Sequence, residues 1–132
     1  MKLNWTAIII AFVISIVMGF FGGIYLPKNV GLIGPIIGGL IAGYIVDGSY
    51  TDGLVNGGIP AGIAGLISLA VLVLISQNEI TAVAVKAGYT GSTETLIIVG
   101  IISAVFIGFA MFFVLGIIGA VIGVALKNRS SS

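Results

Sequence analysis

An all-α membrane protein, with four transmembrane helices in a glycine-rich antiparallel bundle, is the fold class this chain predicts. Three observations predict it. All nine Asp, Glu, Lys and Arg residues fall between or outside four long apolar stretches. Those stretches approach or exceed the roughly 20 residues that a bilayer core of about 30 Å demands of a helix, and a charge at mid-span costs roughly 2.5 to 3.5 kcal/mol. Glycine supplies 21 of the 132 residues, many at spacings of three or four that align them on one helix face.

Composition narrows the function classes. The chain is 59% hydrophobic and 7% charged, with a mean hydropathy of +1.33, far outside the range of soluble domains. One integral-membrane domain over residues 1–132 accounts for it. A net charge of +1 offers no basic surface for nucleic acid. Without Cys there is no disulfide, thiol nucleophile or thiolate metal site, and without His the commonest general base and metal ligand is missing. No cofactor and no metal are expected, and the polar residues are too scattered to build an enzyme site.

The first span covers residues 5–24, follows Lys2 and ends at Tyr25-Leu26-Pro27-Lys28-Asn29. A cleavable signal has an apolar region of only about 7 to 15 residues before a small-residue site. Here the run is longer and carries bulky Phe20, Phe21 and Tyr25, so a retained first helix is expected. The second span, 30–46, is short at 17 residues, and the third, 54–75, has standard length. Between them lies the turn Asp47-Gly48-Ser49-Tyr50-Thr51-Asp52-Gly53, in which Thr51 or Asp52 is placed to cap the third helix. Alternating oxygens at Asp47, Ser49 and Thr51 resemble the start of a calcium loop, but the bidentate acid that such a loop requires is missing.

Residues 76–95 form the largest extramembrane piece. Its middle, Ile80-Thr81-Ala82-Val83-Ala84-Val85, is apolar but too short to span, and suits an interface or a small cap. The fourth span, 96–126, holds 31 residues without a charge. That length is about 46 Å at 1.5 Å per residue, so the helix must tilt, protrude or break. Glycines at 100, 108, 116, 119 and 123 give it places to bend, and one tilted, slightly kinked helix is expected. Lys2, Lys127 and Arg129 on one side against Lys28 and Lys86 on the other favour cytoplasmic termini in a multi-pass cell-membrane protein.

The helices are built for close approach. Gly34-x3-Gly38 and Gly39-x3-Gly43 mark the second span, Gly58-x3-Gly62 the third and Gly119-x3-Gly123 the fourth. In lipid, small residues let backbones approach for dispersion and weak Cα hydrogen bonds. The plain reading is packing within one bundle. The surplus of small faces also suggests a homo-oligomer, or docking on other membrane proteins. A faint repeat at an offset of 22 sets Ile41-Ala42-Gly43 over Ile63-Ala64-Gly65.

Pro35 and Pro60 sit beside glycines in corresponding spans, a pattern that can mark a broken-helix transport site with Asn56 beside it. Both prolines also fall within about two turns of a helix start, where a missing N–H does least damage. No ionisable group lies inside a span. Proton-coupled carriers and rotary-ring subunits need one, so a passive pore is the transport reading that survives.

The stretch Gly38-Gly39-Leu40-Ile41-Ala42-Gly43-Tyr44, followed by Asp47-Gly48-Ser49-Tyr50-Thr51-Asp52-Gly53, resembles an archaeal family of small four-span, glycine-rich membrane proteins of unknown function. The resemblance implies an archaeal plasma membrane and carries over no functional residue. The expected role is a structural or accessory, self-associating membrane component, with a small passive channel or transporter subunit as the alternative.

Overall fold

The structure, a computed structural model, describes residues 3–22, 30–46 and 49–131. Among them are five helices and no strand. They are α1 (Trp5–Phe21), α2 (Val30–Ile45), α3 (Tyr50–Ile75), α4 (Gln77–Lys86) and α5 (Thr93–Ser131). Two of them, α3 and α5, are long and apolar enough to cross a membrane, and α1 and α2 are shorter apolar helices.

Each start has a local cause. Asn4, extended at φ −113° and ψ 100°, caps α1 by accepting the Ala7 N–H at 3.1 Å. The third helix begins at Tyr50, four residues before the expected start at 54. Ser49 Oγ accepts the Asp52 N–H at 3.4 Å while the Asp52 carboxylate accepts the Ser49 N–H at 3.2 Å, a reciprocal capping box. Ser49, therefore, is the cap, and Asp52 answers it from within the first turn. Ser92 Oγ accepts the Thr95 N–H at 3.1 Å and starts α5 three residues early.

The end of α5 also lies beyond the expected boundary at 126. The helix runs unbroken for 39 residues, about 58 Å, taking Lys127 and Arg129 into its last turns, where positive charge suits the helix dipole. Residues 23 and 24 of the expected first span and Asp47 and Gly48 of the expected turn lie outside the described residues. Between α3 and α5, Ser76 alone separates α3 from α4, which buries none of its residues. The chain then turns through Gly88 at φ +97°, a conformation glycine adopts without strain.

Touching residues give the helix directions. Gly34 faces Met18 and Gly38 faces Ala11 and Ser15, so α1 and α2 are antiparallel. Along α3 and α5, Gly53 meets Val124, Gly62 meets Phe109 and Gly65 meets Gly108, again antiparallel. The third seam differs: Ile36 faces Gly119 and Leu40 faces Gly123, so α2 and α5 run parallel. Around the bundle the order is α1, α2, α5, α3. The expectation of a wholly antiparallel bundle is thus corrected, because alternating directions leave the second and last long helices pointing the same way, and their glycine faces match each other.

Replacing Ser49 by Ala removes one half of the capping box and should lower stability by about 1 kcal/mol, and Ser49→Gly by only a few tenths. Thermal unfolding followed by circular dichroism in detergent reads the difference; equal losses for both would assign the start of α3 to packing alone.

Candidate functional site

The glycines of α2, α3 and α5 converge on one junction. Carbonyl oxygens of Gly116 and Ala120 occupy the places where a Cβ on Gly39 and Gly43 would stand, and those of Ile36 and Leu40 do the same for Gly119 and Gly123. Each helix of this parallel pair therefore presents glycine Cα atoms to the other's carbonyls, within reach of Cα–H···O contacts. On the other side of α5, Gly65 and Gly108 meet carbonyl to Cα in both directions. The third helix closes the junction: a Cβ on Gly57 would lie 3.2 Å from the Gly39 oxygen, and one on Gly116 would lie 3.1 Å from the Gly57 oxygen. Gly39, Gly57 and Gly116 thus bring three backbones into mutual contact.

The other expected packing glycines have neighbours as well. A Cβ at Gly34 would lie 2.8 Å from Met18 Cβ, at Gly38 2.9 Å from the Ala11 oxygen, at Gly58 2.9 Å from Ile117 Cγ1 and at Gly62 2.8 Å from Phe109 Cε2. Gly108 and Gly116, expected as bending points in the last helix, are contact points in an unbroken helix.

Sequence reasoning missed the face of α1. Ala7, Ala11, Ser15 and Gly19 recur every fourth residue and are all buried, with Ala7 and Ala11 packed in one core cluster with Ala42 and Val46 of α2. The spacing was visible, but alanine and serine stood where glycine was sought.

The proline positions do not break the helices. Pro35 is fully buried inside a continuous α2. In α3 the five residues Leu54–Gly58 form a π-helical turn directly before Pro60, and the helix continues through it. In a regular helix the Pro60 ring would press on the carbonyl of Asn56 four residues back, and a widened π turn relieves such a clash. Asn56, fully buried in that turn, accepts the Asn4 N–H on Oδ1 at 2.6 Å and donates from Nδ2 to the Asp52 carbonyl at 2.7 Å. Pro35, Asn56 and Pro60 therefore lie on packed helices, and the described contacts of the Asn56 amide are to the protein itself.

Other polar groups are dispersed. Ser68 Oγ donates to the Ala64 carbonyl at 2.7 Å within its own helix, while Ser15 Oγ is buried in the α1–α2 seam without a partner. Thr6, Ser103, Glu79 and Glu94 are exposed. Among the described residues no group of three or more His, Cys, Asp or Glu could hold a metal ion. Where α3 and α5 part beyond Gly108, an open groove of about 370 Å³ is lined by Leu69, Val73, Ser76, Ile80, Gly100 and Ser103. At the opposite end of the bundle, Lys127 Nζ stands 5.3 Å from the centre of the Tyr44 ring, with Trp5 and Tyr50 exposed beside the starts of α1 and α3.

Alanine at Gly39 or Gly119 drives a methyl into backbone, and at Gly116 into the Ala61 Cβ, and each should destabilise the protein by about 1–3 kcal/mol. At Gly100 a Cβ meets only Val73, at 3.4 Å, so Gly100→Ala should be neutral or stabilising by up to about 1 kcal/mol through helix propensity. Unfolding equilibria in mixed micelles check the contrast; similar effects at all four positions would refute the junction.

No curated protein and no solved structure matches this chain. The model of one family, DUF5518, described as a family of unknown function, matches residues 5–126. With nearly the whole chain covered, from the first residue of α1 into the last turns of α5, the protein belongs to that family.

Proposed function

We propose that the chain is a four-span integral membrane protein of an archaeal plasma membrane, acting as a structural or accessory component. The observation that carries the reading is the contact of three backbones at Gly39, Gly57 and Gly116. Helices that touch main chain to main chain leave no lumen between them at that level, so a path for solute through one chain has no room. Catalysis has no support either, since Asp52, Asn56 and Ser68, buried on α3, each bond to backbone and Ser15 lies on another helix.

Membrane location draws on α3 and α5, both long and apolar enough to cross. At 1.5 Å per residue, α1 and α2 measure about 25 Å each, close to a hydrocarbon core of about 30 Å. Trp5, Tyr44 and Tyr50 stand at one end of the bundle with Lys127 and Arg129, an arrangement suited to a headgroup layer. That end holds the start of α1 and the end of α5 and, by the excess of positive charge, faces the cytoplasm.

The packing glycines are engaged inside the chain, so self-association enters the proposal only through the outer apolar faces, such as Val99, Ile102 and Phe106 of α5. A passive channel would likewise have to form between copies.

Flux of small solutes from liposomes containing the purified protein, paired with native mass spectrometry, tests the reading. No flux above empty liposomes is expected, at any oligomeric state. Flux that scales with a defined oligomer would replace it with the channel reading. Ser130→Cys, the only thiol in such a variant, should react with a membrane-impermeant maleimide only after the cells are permeabilised; labelling in intact cells would reverse the orientation.

A further inference from the structure

The starts of α1 and α3 are joined by one continuous run of hydrogen bonds. Ser49 caps α3 and has its own N–H accepted by the Asp52 carboxylate. The Asp52 carbonyl accepts Nδ2 of Asn56, whose Oδ1 accepts the N–H of Asn4, and the Asn4 side chain accepts the N–H of Ala7. The orientation of the Asn56 amide follows from its partners, because a carbonyl can only accept and an N–H can only donate.

This arrangement completes a capping box in trans. In the usual box the third helical residue reaches back to the N–H of the cap. In α3 Asp52 fills that place; in α1 the residue there is Ala7, which has no acceptor. Asn56, from a different helix and 52 residues away, supplies it. The same side chain is anchored in the π turn, so the position of the turn and the docking of the start of α1 depend on one amide.

The α1 interface shares close backbone contacts with the junction, at Gly34 and Gly38 of α2, and differs from it in one buried polar group. Its seam with α2 contains Ser15, wholly buried with an unpartnered hydroxyl, and burial of such a group opposes docking. The contacts of α2, α3 and α5 at Gly39, Gly57 and Gly116 do not involve α1.

We propose that Asn56 is a latch, and that α1 is a releasable helix whose undocking and the loosening of the first turns of α3 are one event, while α2, α3 and α5 stay assembled. The device signals from the start of α1 to the turn that leads into α3. It stands independently of how many helices cross the bilayer.

Hydrogen exchange read by mass spectrometry, on the full chain in lipid nanodiscs, tests it. In Asn56→Leu, amides of residues 5–8 and 50–57 should exchange faster together, by roughly ten- to a hundredfold, with residues 36–43 and 116–123 unchanged. Acceleration confined to residues 50–57, or spread over all helices, would overturn the latch. A second variant keeps Asn56 and adds Ala7→Cys with Ala42→Cys, in a chain that has no other Cys. Oxidation should slow exchange at residues 50–57 as well as 5–8, and reduction should restore it; no change at 50–57 on locking α1 would equally sink the proposal.

Discussion

Three backbones meeting at Gly39, Gly57 and Gly116 are the constraint on which the rest of this structure depends. A side chain at Gly39 would hold α2 and α5 apart, because no rotamer change relieves a methyl directed at a carbonyl, and Gly57 and Gly116 leave little more room. Once the junction is set, so are the register of α2 on α5 through Gly43, Gly119 and Gly123 and that of α3 on α5 through Gly62, Gly65 and Gly108. In an apolar environment helix association gains little from hydrophobic burial, and close packing takes over as the source of affinity.

Apart from Ser15, the buried polar groups stand where the backbone itself uses them. Asn56, Asp52 and Ser49 occupy the caps and the π turn, where helix geometry leaves donors and acceptors to be filled. Pro60 contributes by making a regular turn unfavourable before it, and the wider turn Leu54–Gly58 sits at the level where α3 crosses Gly39 and Gly116. The irregularity of α3 and its contact with both α2 and α5 thus share the same residues. A ligand site would need such groups to point at a common space, whereas here Ser49 and Asp52 bond within α3 and Asn56 bonds to α3 and to the start of α1.

Membership of a family of unknown function leaves the role to be argued from physics. The faint repeat at an offset of 22 acquires a meaning in this light. Gly39 and Ala61 both meet Gly116, and Gly43 and Gly65, also 22 apart, both lie on α5. Two flanking helices present related small faces to the same central one, although one runs with it and the other against it. A surplus of small faces for a second copy is therefore absent at these positions, and the outer surface is left as the place for lipid or partners.

Much of the architecture was legible in the chain itself. Apolar runs bounded by charges located the four long helices, and glycine spacings named residues that do form the seams, because periodicity and composition are local properties. Boundaries were less legible where a cap decided them, as at Ser49 and Ser92, and the small stripe Ala7, Ala11, Ser15 and Gly19 was hidden by its lack of glycine. What only the tertiary structure decided was the pairing: that Gly39 faces Gly116 of the last helix as well as Gly57 of the next, that α2 and α5 run parallel, and that Asn56 caps a helix 52 residues before it. Spacing fixes which residues share a face, but a face carries no record of its partner, and that choice belongs to the simultaneous fit of all the helices.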